Sequence, residues 1–223
     1  MSDLGNQPDD RQIGMNTRQS IVLLLLLFVT PILIAWLMLY GGGALIPEGS
    51  TSHGTLVEPP RMIELPGNIR TRSDMALPAD YLKGKWTLVY IGDADCDETC
   101  LQNIYKMRQV RLAQNENIRR VQRLFLLTGT EITQDLGKVL ENYPNMDIAL
   151  LTAEQAGTIA TLFQVDEAAA TAAERVYLVD PLGYLMMYYA PDAEPRGMLK
   201  DLKKLLKFSH PALCVPFRYE PKI

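Results

Sequence analysis

The 223 residues are enough for one domain of ordinary size plus an appendage. A net charge of −4, with no basic patch interleaved with aromatics, leaves no electrostatic case for a nucleic-acid partner. Three cysteines are too few for a disulfide scaffold, and two histidines restrict any metal site. In chain order, residues 1–19 are polar and read as a cytoplasmic tail. Residues 20–40 carry no charge, and at about 1.5 Å per residue they reach roughly 30 Å, the thickness of a hydrocarbon core. Trp36 and Tyr40 suit an interfacial belt, and Pro31 is a kink that a membrane helix tolerates. The run is longer than the usual signal-peptide core, so an uncleaved anchor is expected rather than a cleaved leader. Arg11 and Arg18 precede it, and no Lys or Arg follows until Arg61, which places the N-terminus inside and the rest outside the cytoplasm.

Residues 41–60, with Gly41–Gly43, Pro47, Pro59 and Pro60, read as a tether, and residues 61–208 as the folded domain. Met62, Ile63 and Leu65 suggest an edge strand. Residues 86–91 form a short apolar, β-branched and aromatic run, a buried strand that Gly92 ends. Leu101, Ile104, Met107 and Val110 mark a helix over 98–115, and residues 121–127 a second strand. Ile132, Leu136, Val139, Leu140 and Tyr143 share one helical face that Pro144 stops. Residues 148–151 form a short strand. Thr152 with Gln155 is a capping-box signature for the next helix, which carries Ile159 and Phe163. Residues 175–179 and 184–189 flank Asp180-Pro181-Leu182-Gly183 as a hairpin. Met198, Leu202, Leu205 and Leu206 mark a last helix, with Lys200, Lys203, Lys204 and Lys207 on its solvated face. Residues 209–223 read as a tail. Strand and helix alternate, which predicts a central, largely parallel sheet to which the closing hairpin adds antiparallel strands: an α/β thioredoxin-like domain with insertions, preceded by one transmembrane helix.

The chemistry sits after the first buried strand. Cys96 and Cys100, four apart at a helix start, can close a disulfide or share a soft metal such as Cu(I). The helix dipole favours a thiolate there, whereas Asp93, Asp95, Asp97 and Glu98 raise the thiol pKa. Cys214 reads as an incidental thiol in the tail. His53 in the tether and His210 in the tail read as solvated, and Met186-Met187 as core filling.

Gly84-Lys85-Trp86 with Leu88-Val89-Tyr90, then Cys96-x3-Cys100, then Tyr177-Leu178-Val179-Asp180-Pro181-Leu182-Gly183, resemble the Sco/SenC family of cytochrome c oxidase assembly factors. The resemblance spans roughly residues 55–207 and includes the single N-terminal anchor. It implies a bacterial inner-membrane protein with its domain in the periplasm, and cytochrome c oxidase subunit II or other assembly factors as partners. Members of that family hold copper with the two cysteines and a histidine five residues before the hairpin tyrosine; Ala172 stands at that position here. Asp97 and Leu101 replace the family's prolines after each cysteine. The resemblance therefore carries over the fold and the two thiols, with thiol–disulfide chemistry or Cu(I) handling as the expected function. A non-catalytic scaffold that binds assembly partners is the alternative.

Overall fold

The computed structural model describes residues 16–40 and 52–209. The expected tail before residue 16, most of the expected tether, and His210 and Cys214 lie outside the described residues. Two compact units divide the chain, 1–50 and 51–223. In the first, helix α1 runs Thr17–Tyr40 and includes Pro31. It starts three residues ahead of the expected anchor because Asn16 accepts the Ser20 N–H and donates its own to Gln19 Oε1. Thr17–Leu37 is long and apolar enough to cross a membrane.

The second unit is a seven-stranded sheet in the order β1-β7-β6-β3-β4-β5-β2. The strands are β1 Thr55–Met62, β2 Arg70–Thr71, β3 Trp86–Asp93, β4 Val121–Thr128, β5 Asp147–Leu151, β6 Val176–Val179 and β7 Tyr184–Tyr189. The helices are α2 Glu98–Leu112, α3 Gln134–Glu141, α4 Ala153–Phe163 and α5 Pro195–Phe208, with a 3-10 turn at Asn115–Arg120. Only β3–β4 and β4–β5 pair in parallel; the other four ladders are antiparallel. The centre of the sheet is parallel and the closing hairpin adds antiparallel strands, as expected; β1 and β2 extend the antiparallel part to both edges. The hairpin docks along the free edge of β3, and β1 and β2 close the two edges.

β3 and β4 lie at the centre and are buried on both faces, which is why β3 reads as an apolar run and β4 ends in one, Leu124 to Leu127. Their side chains alternate between two cores. Leu88, Tyr90, Val121, Phe125 and Leu127 meet Ile104, Met107 and Val110 of α2 and Met198, Leu202 and Leu206 of α5. Val89, Ile91, Leu124 and Leu126 meet Ile159 and Phe163 of α4 and the 63–82 segment. The capping box of α4 forms as expected, with Thr152 N–H to Gln155 Oε1 at 3.0 Å and the reverse bond at 3.3 Å. All four lysines of α5 are exposed, and Met187 fills core.

The domain begins before the expected boundary at residue 61. β1 starts at Thr55 and pairs with β7, its register shifting between Leu56 and Arg61. Pro59 and Pro60 have no N–H to donate, so this strand is accommodated only at an edge. His53 is likewise not free in solvent. The buried Asp201 carboxylate on α5 accepts from His53 N–H (2.8 Å) and Gly54 N–H (2.9 Å) and lies 3.1 Å from His53 Nδ1. A Cβ at Gly54 would stand 2.7 Å from the Tyr189 ring, so glycine is what lets the chain approach this close.

Candidate functional site

β3 runs to Asp93 at the carboxyl end of the sheet's parallel core. A Cβ at Gly92 would meet the Tyr90 ring at 2.9 Å, so glycine lets the strand leave the sheet over its own tyrosine. Asp93 Oδ1 accepts the Asp95 N–H (3.1 Å) and turns the chain. Asp97 is the N-cap of α2, and its carboxylate accepts the Cys100 N–H at 2.8 Å. Thr133, the N-cap of α3, donates its hydroxyl to the Ala94 carbonyl and ties the loop to its neighbour.

These constraints bring Cys96 and Cys100 together as a disulfide, with Cα atoms 5.2 Å apart. The two sulfurs are not equivalent. Cys100, in the first turn of α2, is 4% exposed and belongs to the core, whereas Cys96 is half-buried against the core's rim. Asp97 occupies the positive end of the helix and Glu98 extends the acidic surface.

Two further residues join this end of the sheet. Asn103, 1% exposed on α2, donates Nδ2 to the Glu174 carbonyl (2.8 Å) and so fixes the loop before β6 to the cysteine helix. Glu174 holds a left-handed backbone (φ 48°), an uncommon conformation for a side chain other than glycine, asparagine or aspartate. Burial, then the charge and hydrogen bond of Asp97, push the Glu174 carboxyl above its usual range. Burial, with the Glu174 and Asp97 charges, also raises the Tyr90 phenol, although a bond with Asn103 opposes this. Asn103 is legible in retrospect, because it falls on the apolar stripe Cys100–Ile104–Met107–Val110 where a polar side chain needs a partner. Glu174 has no such signal.

The loop ahead of β6 is closed on itself. Arg175 Nη2 bonds Asp166 Oδ2 at 2.6 Å, and the Arg175 guanidinium stacks 4.6 Å over Tyr188. Ala172 lies on this loop, exposed, its N–H bonded to Ala169 O (3.0 Å). It offers a methyl group where a third ligand would be required. His53 is committed to Asp201 at the start of β1, three strands away from β3. The side chains near the sulfurs are carboxylates, which are poor donors to a soft ion. Among the described residues no group of three or more His, Cys, Asp or Glu could hold a metal. Among the described residues, the soft donors brought together here are the two sulfurs, and the reduced pair supplies two thiolates.

A family model described as "Transmembrane-like, thioredoxin-like, C-terminal domain" matches residues 86–209. No curated protein matches the sequence. Among solved structures, Bradyrhizobium japonicum ScoI with copper bound superposes with a TM-score of 0.50 at 20% identity, over 64% of this chain and 98% of that one. Yeast Sco1 with copper bound gives 0.56 at 16% identity, over 70% and 99%. BsSco, described as a Sco-family cytochrome c oxidase assembly protein with a disulfide switch, gives 0.51 at 19% identity, over 67% and 97%. At these identities the likeness establishes the fold.

Proposed function

We infer that this chain, which belongs to the transmembrane-like, thioredoxin-like C-terminal domain family, works as a membrane-tethered, Sco-like thiol–disulfide factor in cytochrome c oxidase assembly. The observation that carries this is the asymmetric pair: an accessible Cys96 joined to a buried Cys100 at a strand–helix junction. The structures sharing the fold include a Sco-family assembly protein with a disulfide switch. The apolar helix α1 supports a single-pass anchor, and Arg11 ahead of it with Arg18 in its first turn supports a periplasmic domain in a bacterial inner membrane.

In this reading the reduced protein acts on a disulfide of the oxidase's copper-accepting subunit II. The Cys96 thiolate attacks one partner sulfur; the partner S–S bond breaks and its other sulfur leaves as a thiolate. Cys100, having given its proton to solvent, then attacks Cys96 Sγ. The mixed disulfide breaks, the second partner sulfur leaves, and the Cys96–Cys100 disulfide remains. Two electrons pass to the partner, whose two thiolates take up protons and are ready for copper. The copper belongs to the partner as cargo, and no step here passes through it.

The test is electron transfer to oxidised subunit II domain, followed by the mass shift on thiol alkylation. Two thiols should appear on the partner as the Cys96–Cys100 bond closes, and neither single Cys→Ser variant should complete the transfer. If both variants still support oxidase assembly in cells, thiol chemistry is dispensable and the scaffold reading replaces this one.

A further inference from the structure

At the opposite end of the sheet, where β3, β4 and β5 begin, lies a cavity of ≈ 320 Å³. One wall is apolar, formed by Met75, Leu77 and Pro78. The other is polar and drawn from three distant parts of the chain: Lys83 and Lys85 ahead of β3, Gln122 on β4, and Asp147 on β5. Gln122 is fixed, donating Nε2 to the Tyr81 carbonyl (2.7 Å) and to Thr87 Oγ1 (2.9 Å).

Within the lining Lys83 and Lys85 balance Asp80 and Asp147; the excess positive charge comes from Arg111 and Arg123 behind it. Asp147 is already engaged: it accepts the Tyr81 hydroxyl (2.5 Å), and Arg111 and Arg123 face the Tyr81–Asp147 pair from the α2 side. Arg123 is 2% exposed, with Nη2 on the Pro144 carbonyl (2.7 Å) and both Nε and Nη1 buried without a partner. A buried guanidinium left partly unpaired is costly and leaves positive potential behind this wall. Lys83 and Lys85 have no carboxylate partner among the described residues. Against them stands Asp80. In a chain of net charge −4, Arg111 and Arg123 behind the polar wall tip the balance around this half-apolar hollow toward positive.

We propose that this cavity is a binding site for a small anionic amphiphile, with its carboxylate or phosphate head on Lys83 and Lys85 and its short apolar tail on Met75, Leu77 and Pro78. The size lies at the lower end of small-molecule pockets, and a few fixed polar groups beside an apolar wall are their usual composition. The eight residues of β3, at about 3.3 Å each, separate it from the disulfide by roughly 25 Å. A partner engaged at Cys96 therefore leaves it open.

Met75 is a built-in reporter. The full chain, labelled at methionine methyl carbons and held in zwitterionic-lipid nanodiscs, is titrated separately with sodium hexanoate, hexyl phosphate and hexylammonium. The Met75 methyl should shift saturably with at least one of the two anions and not with the cation, and the core Met187 methyl should stay still. Which anion binds tighter identifies the head group. Lys85→Ala should weaken that binding about tenfold, as loss of one charge-assisted bond implies, and Lys85→Arg should retain it. An equal Met75 response to hexylammonium, no response to either anion, or unchanged affinity in Lys85→Ala would overturn the proposal.

Discussion

The two ends of the central strands make opposite use of charge and chain. At the carboxyl end, Asp93, Asp95, Asp97 and Glu98 crowd a disulfide assembled from one continuous stretch of seventeen residues, Gly84 to Cys100, and its flanking turn. At the amino end, Lys83, Lys85, Asp80 and Asp147 line a hollow assembled from segments as far apart as Thr71 and Asp147, with Arg111 and Arg123 behind it. The first end places a bond that can be made and broken; the second places a shape that can be filled. Separation by a rigid, doubly buried pair of strands is what lets both exist in one small domain.

Cutting the shared support should erase the difference. Phe125 lies fully buried at the middle of β4 and contacts the core beneath the disulfide. Phe125→Ala should cost about 3–5 kcal/mol in urea unfolding and depress both thiol exchange and the Met75 response. If one end survives untouched, the ends are not coupled through the sheet.

A narrower cut is available at Asp201. Asp201→Asn places an amide among the N–H groups of His53 and Gly54 and should cost about 1.5–3 kcal/mol. It should also speed amide exchange at Gly54 while leaving the cavity's Met75 signal unchanged. An unchanged Gly54 protection factor would mean that the carboxylate does not hold the start of β1.

Removing the disulfide sharpens the comparison further. In the loop-entropy account a ring this short is worth about 2 kcal/mol, so Cys96→Ser/Cys100→Ser should lower stability by that amount and leave the cavity end intact. The smallest effect is electrostatic. Arg175 holds the exposed Asp166 carboxyl below its ordinary 3.8, first through their hydrogen bond. The folded state then binds fewer protons than the unfolded one, so the pair's contribution is present above 3.8 and is lost as pH falls through the lower folded value. Arg175→Gln should move the Asp166 carboxyl titration, read by carbon-13 NMR, upward toward the ordinary value.

Much of the domain was legible because its signals are local. The apolar run of β3, the apolar tail of β4, the Thr152–Gln155 box, the Asp180-Pro181-Leu182-Gly183 turn of the hairpin and the cysteine spacing each sit within a dozen residues. What escaped depends on partners far along the chain. β1 was hidden by Pro59 and Pro60, and its pairing with β7 is decided more than 120 residues later. β2 is two residues long and carries no pattern. His53 looked solvated because the carboxylate that captures it lies 148 residues away. The same holds at the site: the two cysteines were plain, but Asn103 reaching Glu174, and the cavity lined by Lys85, Gln122 and Asp147, exist only after the sheet has formed.

The central claim is that the pair is directional, with Cys96 as the entry thiol and Cys100 as the buried resolving thiol. It is tested most directly by the rate at which each reduced single thiol reacts with a neutral aryl disulfide, in full-length protein that also carries Cys214→Ser. Because exchange follows access as well as thiolate fraction, the Cys100→Ser protein, which keeps Cys96, should react on the order of tenfold faster or more than the Cys96→Ser protein. Equal rates, or a faster Cys100, would contradict the account.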